Sequence, residues 1–294
     1  MATKTKSNKK RATSKKVSRR KGKNGKLYAI LTFIILFGAA YFSGEILSAC
    51  DHSDVSEINP VVSTADQLQQ VVTNPALEEE IIHYKGMTVS FNKRLHIPNW
   101  VAWELTAQET TGDNNREEKF FCDESVDGCP ETWDYSYSGY DRGHMAPAGD
   151  MKWDSEAMRQ TFYLTNICPQ APDLNRGTWK TLEEKCRVRA KNDSAIIIIC
   201  GPILTDPITE YIGDSRVAVP KRFFKVVLSP FRDEPVAIGF IMPNAKVVGG
   251  MQPAAVSVDE VEAATGHDFF SILNDEEETN LEKMCNFNRW SRML

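Results

Sequence analysis

The first 44 residues of this 294-residue chain lack aspartate and glutamate altogether, although the whole chain carries 40 acidic and 35 basic residues. Twelve of the basic residues lie in that segment, so residues 45–294 hold 35 − 12 = 23 basic and 40 acidic residues, a net charge of −17. A basic arm on an acidic body excludes a uniformly charged protein, and the overall net charge of −5 therefore says little about partners.

Other absences exclude whole classes of protein. Glycine occurs only 17 times and hydrophobic residues make up 41% of the chain, which excludes collagen-like and wholly disordered proteins. The chain has no Cys-x-x-Cys pair and no histidine at ligand spacing beside a cysteine, so a zinc site is not expected. The acidic body is long enough for one substantial domain or two small ones.

A run without charged residues follows the basic arm. Residues 27–44, as a helix, are just long enough to cross a hydrocarbon core of roughly 30 Å. Tyr28 and Tyr41 lie near the two ends of this run, where amphipathic rings favour the membrane–water interface. We therefore expect a basic cytoplasmic arm at 1–26, a transmembrane signal-anchor at 27–44, and a single-pass membrane protein whose body is extracytoplasmic, either periplasmic or on the cell surface.

Four alternatives to this anchor stay open. The run is also compatible with a buried core helix or with a cleaved signal peptide, although the basic region is long for the latter. Lipid attachment at Cys50 is another possibility, which the intervening Glu45 weakens. The basic arm is also compatible with nucleic-acid binding, but its position against an apolar run favours a role in membrane topology.

The cysteines of the body are compatible with an exported domain. Apart from Cys50 there are six, an even number that fits a set of disulfides. Cys122 and Cys129 bracket a short loop and are the pair expected to be bonded. The sequence does not connect the other four, which are Cys168, Cys186, Cys200 and Cys285.

Residues 45–79 are polar and predict a stalk with a short helix near 65–72, and residues 80–294 predict the folded domain. Apolar runs predict strands at 81–84, 88–91, 100–105, 195–200, 223–228 and 236–242. Helices are expected at 178–190 and at 256–265, the second with a capping box formed by Ser257 and Glu260. This pattern predicts an α+β fold with a central, largely antiparallel sheet flanked by helices.

One of only five histidines, His144, stands in a dense polar cluster at residues 140–147. Asparagine, arginine and glutamate side chains follow within 40 residues. Neutral histidine accepts a proton near pH 7, arginine matches phosphate oxygens, and asparagine and glutamate oxygens suit Mg²⁺. These are the components needed for metal-assisted hydrolysis of a phosphodiester.

An ordered series of motifs surrounds this histidine. Asp-Arg-Gly-His at 141–144 precedes Asn-Ile-x-Pro-Gln at 166–170 and Asn-x-Gly-x-Trp-x-x-x-Glu at 175–183. Further similar stretches lie at 219–227, 240–244 and 258–270. Over about residues 81–273 the chain resembles the DNA/RNA non-specific endonuclease family, and the resemblance implies a ββα-metal active-site motif in which a hairpin presents the histidine and the following helix presents the asparagine.

The resemblance implies a role for each matching residue of the catalytic centre. His144 would be the general base that activates water, and Asn175 would be the direct ligand of Mg²⁺, with Mn²⁺ as an alternative metal. Glu183 would hold metal-bound water without touching the metal. The ordinary alternative for His144 is a surface or core histidine without a catalytic role. The alternative for Glu183 is a solvent-facing helix residue, in which case Glu184 would be the matching glutamate.

Three further positions would serve the substrate. The resemblance implies that Arg142 stabilises the transition state, that Arg116 contacts a phosphate, and that Asn166 lies beside the metal and the substrate. Asp141 would orient the motif loop. Alternatively, Arg142 pairs with Asp141, and Asn166 only braces a turn.

The resulting expectation is a membrane-anchored, Mg²⁺-dependent endonuclease that cuts DNA and RNA with little sequence preference. A catalytically silent nucleic-acid-binding or surface protein and a specialised phosphodiesterase on the same scaffold are the alternatives, and the body's net charge of −17 leaves room for the second. A local basic groove would reconcile the acidic body with a polyanionic substrate. It would involve Arg116, Arg142, Lys152, Arg159, Arg176 and Lys180.

Overall fold

The computed structural model describes residues 65–292. The segments assigned above to a basic arm and a membrane anchor, residues 1–26 and 27–44, lie outside the described residues, as does Cys50. Within 65–292, no helix is both long and apolar enough to cross a bilayer.

Short strands and helices alternate along the described chain without a regular βαβ repeat. The strands are β1 Val71–Val72, β2 Glu80–His83, β3 Thr88–Asn92, β4 Ile97–Thr106, β5 Asp141–His144, β6 Ile167–Gln170, β7 Ala195–Pro202, β8 Tyr211–Ile212, β9 Val217–Ala218, β10 Arg222–Ser229, β11 Val236–Pro243, β12 Ala255–Val256 and β13 Asp268–Phe269. The α-helices are α1 Ala65–Leu68, α2 Ser155–Gln160, α3 Lys180–Asp193, α4 Val258–Thr265, α5 Asp275–Glu282 and α6 Phe287–Arg292.

Seven of these strands form one sheet in the order β12-β11-β10-β7-β4-β3-β2, and each neighbouring pair is antiparallel. The expected α+β fold with a largely antiparallel central sheet is confirmed. The six predicted strands correspond to β2, β3, β4, β7, β10 and β11, most of them extended by one to three residues at an end.

The central strand β7 is buried along its whole length because both faces of the sheet are covered. Ile196 and Ile198 face one core, which contains α3 and the β5–β6 pair, whereas Ile197 and Ile199 face a second core, which contains α4. Since alternate residues of a strand point to opposite faces, a strand covered on both sides must be apolar throughout. The continuous Ala-Ile-Ile-Ile-Ile-Cys run of the sequence follows from this three-layer arrangement.

Residues 65–79, which the sequence assigns to a stalk, pack on the folded domain. Leu68 of α1 is buried in the second core, and β1 pairs antiparallel with β13 through Val71 and Phe269. The Asn74 side chain then donates to the Thr265 carbonyl at 2.9 Å. The domain therefore includes at least residues 65–79, because these residues fill part of its core.

The capping box predicted for α4 is present. The Ser257 hydroxyl accepts from the Glu260 backbone N–H at 3.1 Å, and the Glu260 carboxylate accepts from the Ser257 N–H at 2.8 Å. Gly266 ends this helix with φ of 72°, a left-handed conformation that glycine adopts at little cost. Local hydrogen bonds thus fix both ends of α4.

The β5–β6 hairpin is not part of the main sheet, and the Asn244 side chain ties it to that sheet. Asn244, directly after β11, donates to the carbonyl groups of Pro169 and Pro220 and accepts from the Ala171 backbone N–H. These three bonds connect the end of β6 to the sheet. The hairpin is followed by α3, so the expected strand–strand–helix arrangement is present.

The expected disulfide between Cys122 and Cys129 is not formed, and that prediction is wrong. All six cysteines within residues 65–292 are free thiols. The Asp123 N–H donates to the Cys129 sulfur at 3.1 Å, and burial raises the pKa of the Cys129 thiol far above its usual range. Disulfide formation requires a thiolate, which this environment disfavours.

The α4 capping box gives a stability prediction. Ser257→Ala removes the acceptor for the Glu260 N–H and is expected to lower the free energy of unfolding by about 1 kcal/mol, measured by urea denaturation. Ser257→Thr keeps a hydroxyl acceptor and is expected to lose markedly less. Equal losses in the two variants would show that the cap does not stabilise α4.

Candidate active site

Hydrogen bonds attach the start of the α3 region to strand β5. The Asn175 side-chain amide donates to the Asp141 carboxylate at 2.9 Å, and the Trp179 indole N–H donates to the His144 backbone carbonyl at 3.3 Å. Asn175 and Trp179 are one helical turn apart, and Asp141 and His144 mark the two ends of β5. The candidate base and the candidate metal ligand are therefore held on adjoining elements.

His144 lies at the end of β5 with its ring enclosed by two aromatic residues. The ring centroids of Phe162 and Phe120 are 4.9 Å and 5.3 Å from that of the imidazole. Burial, with a further contribution from Arg116, lowers the pKa of His144 to about 3. The imidazole is therefore neutral at physiological pH and can accept a proton. Its Nε2 atom is buried and makes no hydrogen bond.

Gly143 is required between Arg142 and His144 for a steric reason. A Cβ atom at this position would lie 2.2 Å from the Gln170 side-chain oxygen, far inside van der Waals contact. Gln170 is fully buried on the neighbouring strand β6 and has no room to move. The glycine of the Asp-Arg-Gly-His motif thus permits the close pairing of β5 and β6.

Asn175 lies on a π-helical segment, Leu174–Trp179, that leads into α3. The backbone is kinked at Gly177, with φ of −103° and ψ of −116°, and such wide turns often occur at functional sites. Because Asp141 binds the amide NH₂ group, the Asn175 oxygen remains free as a ligand. Asp141 also accepts two hydrogen bonds from the exposed Arg176, at 2.7 and 2.5 Å, and these hold the pKa of its carboxyl below the usual value against the effect of burial.

Arg142 does not pair with Asp141, which was the alternative from the sequence. Its Nη2 atom donates to the Thr132 carbonyl at 2.6 Å, and the guanidinium carbon lies 5.4 Å and 5.7 Å from the ring centroids of Phe120 and Tyr135. Contacts with aromatic faces favour a cation and hold the side chain beside the His144 ring, which also packs on Phe120.

Arg116 contacts the other ring that packs on the histidine. Its guanidinium carbon is 4.9 Å from the centroid of Phe162, the second ring that encloses His144. Partial burial lowers the pKa of Arg116, and the nearby Glu183 opposes that shift. Arg116 is therefore close to both His144 and Glu183, as a residue that contacts the reacting phosphate must be.

Glu183 lies on the first turn of α3 and is not a solvent-facing helix residue. Burial raises the pKa of Glu183 to about 8, while the nearby Lys225, Arg187 and Arg116 oppose the shift. Glu184, the alternative match from the sequence, is exposed and pairs with Lys180. The structure therefore favours Glu183 as the glutamate of the motif.

A set of buried charges near Glu183 was not predicted from the motifs. Lys225 of β10 is 1% exposed, and its ammonium group lies 4.5 Å and 5.0 Å from the ring centroids of Trp179 and Trp103. Burial alone would lower the pKa of Lys225, but the surrounding thiols and carboxyls raise it above its usual value. Asp150, fully buried nearby, accepts from Arg187 at 2.7 Å and from the Trp103 indole at 3.2 Å.

One signal in the sequence could have identified Lys225. It interrupts the apolar run of β10, in which Phe223 and Val227 face the core that contains α3. A lysine between two such residues points to the same face. A charge at an interior position of a buried strand is costly unless compensated, so it predicts opposite charges nearby.

Asn166 is not available to substrate, and the predicted substrate-binding role is corrected. The side chain is fully buried; its oxygen accepts from the Ala146 N–H, and its amide group donates to the carbonyls of Ala146 and Thr161, all at 2.9 Å. Asn166 therefore braces the chain just after His144. This matches the turn-bracing alternative from the sequence.

Two large aromatic side chains are exposed on the segment that Arg142 contacts. Trp133 is 61% exposed and Tyr137 is fully exposed, with φ of 57°. Large exposed rings next to a candidate phosphate-binding arginine suit stacking on nucleic-acid bases. Neither residue belongs to a motif, so the sequence alone did not single them out.

The residues at this site fit a divalent metal ion. Asn175 offers an amide oxygen that Asp141 orients, and no buried cation pairs directly with that oxygen within the described chain. Mg²⁺ needs few protein ligands because it keeps several waters, so one oriented oxygen with a nearby carboxylate is a sufficient protein contribution. The arrangement can bind an anion, orient water and accept a proton, which are the requirements for phosphodiester hydrolysis.

Comparisons with known proteins agree with this chemistry. The family model for DNA/RNA non-specific endonucleases matches residues 64–276. Nuclease EXOG, mitochondrial, of Danio rerio is 32% identical over 277 residues, covering 84% of this chain and 79% of that protein. Nuclease 1, mitochondrial, of Schizosaccharomyces pombe is 32% identical over 242 residues, covering 74% of this chain and 72% of that protein. A crystal structure of the EndoG/EndoGI complex matches with a TM-score of 0.64 at 29% identity, covering 68% of this chain and 89% of that chain.

These relatives contradict the location expected from the sequence. The relatives from Danio rerio and Schizosaccharomyces pombe are both named as mitochondrial nucleases. The sequence instead predicted a single-pass membrane protein with an extracytoplasmic catalytic domain. That prediction of location is wrong. The family itself is shown by the extent of the match, which covers most of the chain and every motif around His144. The chain belongs to the DNA/RNA non-specific endonuclease family, an enzyme family of hydrolases.

Proposed function

We propose that this chain is a metal-dependent endonuclease that hydrolyses phosphodiester bonds of DNA and RNA with little sequence preference, with Mg²⁺ as its metal and Mn²⁺ as a substitute. The observation that carries the proposal is the pair of hydrogen bonds joining Asn175 and Trp179 to Asp141 and His144. They fix a neutral base and an oriented oxygen ligand on neighbouring elements. A protein that only binds nucleic acid needs neither.

The chain's own residues divide the chemistry between them. Neutral His144 accepts a proton from the attacking water. Arg142 and Arg116, held against the two aromatic rings that pack on the histidine, bind the phosphate and stabilise the charge that develops in the transition state. Glu183 would orient water and Asn175 would hold the metal, which would supply positive charge that stabilises the transition state.

Lack of sequence preference follows from the kind of contacts available. Phosphate contacts position a nucleic acid without reading its sequence, and stacking accepts any base. The described site offers guanidinium groups and exposed rings, Trp133 and Tyr137, for such contacts. Substrate binding then depends on a few local groups, and this is compatible with an acidic body.

Nuclease activity on plasmid DNA and on RNA is expected with Mg²⁺, and EDTA should abolish it. His144→Ala removes the base and is expected to lower the rate by about 10²- to 10⁴-fold. His83→Ala, which changes an exposed histidine, is the matched control and should retain activity. Robust cleavage by His144→Ala would refute the mechanism, and no cleavage by the wild type would favour the binding-protein alternative.

Asp141 is expected to act on the metal through Asn175. Asp141→Ala frees the asparagine amide to rotate and should raise the Mg²⁺ concentration for half-maximal activity by about 10- to 100-fold. Arg176→Ala is the control, because it removes the exposed ion pair but leaves the hydrogen bond to Asn175, and such pairs contribute little. An equal shift in both variants, or none in Asp141→Ala, would contradict this role.

The pH dependence of the reaction follows from the burial of His144. Because burial lowers the pKa of His144 to about 3, the base is protonated only as the pH falls toward that value. The value of kcat/KM at saturating Mg²⁺ should therefore show no acid limb near 6.5, the ordinary histidine pKa. The test is a profile from pH 5 to pH 9 on a short DNA duplex, and an acid limb near 6.5 would contradict a buried base.

A further inference from the structure

Three carboxylates converge between α4 and α5, on the face of the sheet opposite the candidate active site. Asp259 and Glu262 lie one turn apart on α4, and Glu282 is the last residue of α5. One oxygen of each lies within 4.8 Å of the others. Asp259 is exposed, Glu262 is partly buried and Glu282 is buried, so the cluster opens to solvent on one side.

Glu282 points to a ligand at this position. Its side chain is only 5% exposed, and its Oε1 atom is buried without a hydrogen-bond partner. A buried carboxylate oxygen without a partner costs free energy. The position at the C-terminal end of α5 adds to the cost, because the helix dipole disfavours negative charge there. The described structure therefore leaves an oxygen of Glu282 buried without a partner.

Residues 65–292 supply no such partner. None of the ion pairs within residues 65–292 involves this cluster, and two more acidic residues, Asp268 and Glu278, add negative charge nearby. Lys283 follows Glu282 in the chain, but its ammonium group donates to Asn280 at 2.6 Å.

Burial and neighbouring negative charges raise the pKa values of the two buried or partly buried carboxyl groups in this cluster. Burial, together with the neighbouring carboxylates, raises the pKa of Glu282 to about 9. Burial raises the pKa of Glu262 to about 7, although the Phe269 N–H bonds its carboxylate at 2.8 Å. Either protons or a cation must neutralise such a cluster at neutral pH.

The number of carboxylates distinguishes between the common hard cations. Ca²⁺ takes about six to eight oxygen ligands and accepts several carboxylates, whereas Mg²⁺ is usually held by about one or two carboxylates and keeps several waters. Three carboxylates that converge from two helices, each with one oxygen within 4.8 Å of the others, therefore suit Ca²⁺. We propose that Asp259, Glu262 and Glu282 form a second cation site, which binds Ca²⁺ and joins α4 to α5.

This site is separate from the catalytic chemistry proposed above. The second core, to which Val258, Val261 and Leu281 belong, lies between the cluster's helices and the sheet. Glu282 also lies beyond residue 276, where the match to the family model ends. The site is therefore a structural clamp of this chain, and its loss need not affect the active site.

Calorimetric titration of the EDTA-treated full chain with CaCl₂ tests the proposal. Asn175→Ala is used alongside the wild type, because it lacks the proposed catalytic metal ligand. The variants of the cluster are made in the Asn175→Ala background, and we expect Ca²⁺ binding to remain in Asn175→Ala and to be lost when Glu282→Gln is added. At a hundred times Kd, Ca²⁺ should raise the melting temperature of Asn175→Ala by about 5 °C or more and leave that of the double variant unchanged.

Glu276→Gln is the matched control, since it makes the same change of charge at an exposed position of α5. In the same background it should bind Ca²⁺ as Asn175→Ala does. If Glu282→Gln does not fold, the exposed Asp259→Asn replaces it and should weaken Ca²⁺ binding at least tenfold. The absence of Ca²⁺ binding by Asn175→Ala, or unchanged binding by Glu282→Gln or Asp259→Asn, would overturn the proposal.

Discussion

Burial of the central sheet on both faces is the constraint on which the rest of the structure depends. It requires apolar residues along β7 and covers one face with α3 and the β5–β6 hairpin. That arrangement places the candidate catalytic elements directly on a buried apolar layer. Charged side chains beneath the candidate site, such as Lys225, are then buried as well, and they are stabilised by aromatic faces and opposite charges.

Local patterns allowed much of the fold to be predicted from the sequence. The strands were identified because a doubly covered strand is continuously apolar, and the start of α4 because Ser257 and Glu260 form a capping box from residues three apart. Residues 65–79 were misassigned to a stalk because their polar composition hides the burial of Leu68 and the pairing of β1 with β13. That pairing joins residues almost 200 positions apart, which no local pattern reveals.

In the candidate site, too, local motifs could be read from the sequence, but contacts between distant residues could not. The roles of His144 and Asn175 stay predictions from the motifs, whereas the role proposed for Asp141 depends on a hydrogen bond across 34 residues. Asn166 was assigned to substrate because asparagine is equally suited to a ligand and to a turn, and only its burial distinguishes the two. Cys122 and Cys129 are close enough in sequence to suggest a disulfide, but the burial of a thiol is not visible in their spacing.

The pairing of β1 with β13 has a consequence for how the domain reaches its native state. Val71 finds its partner Phe269 only after almost all of the described chain has been synthesised, so the second core cannot close during earlier stages of translation. Contacts between residues this distant in sequence slow folding, because a long loop must be closed before they form. Until then the apolar strands of the sheet keep one face uncovered, a state prone to aggregation, in which a chaperone would be of most use.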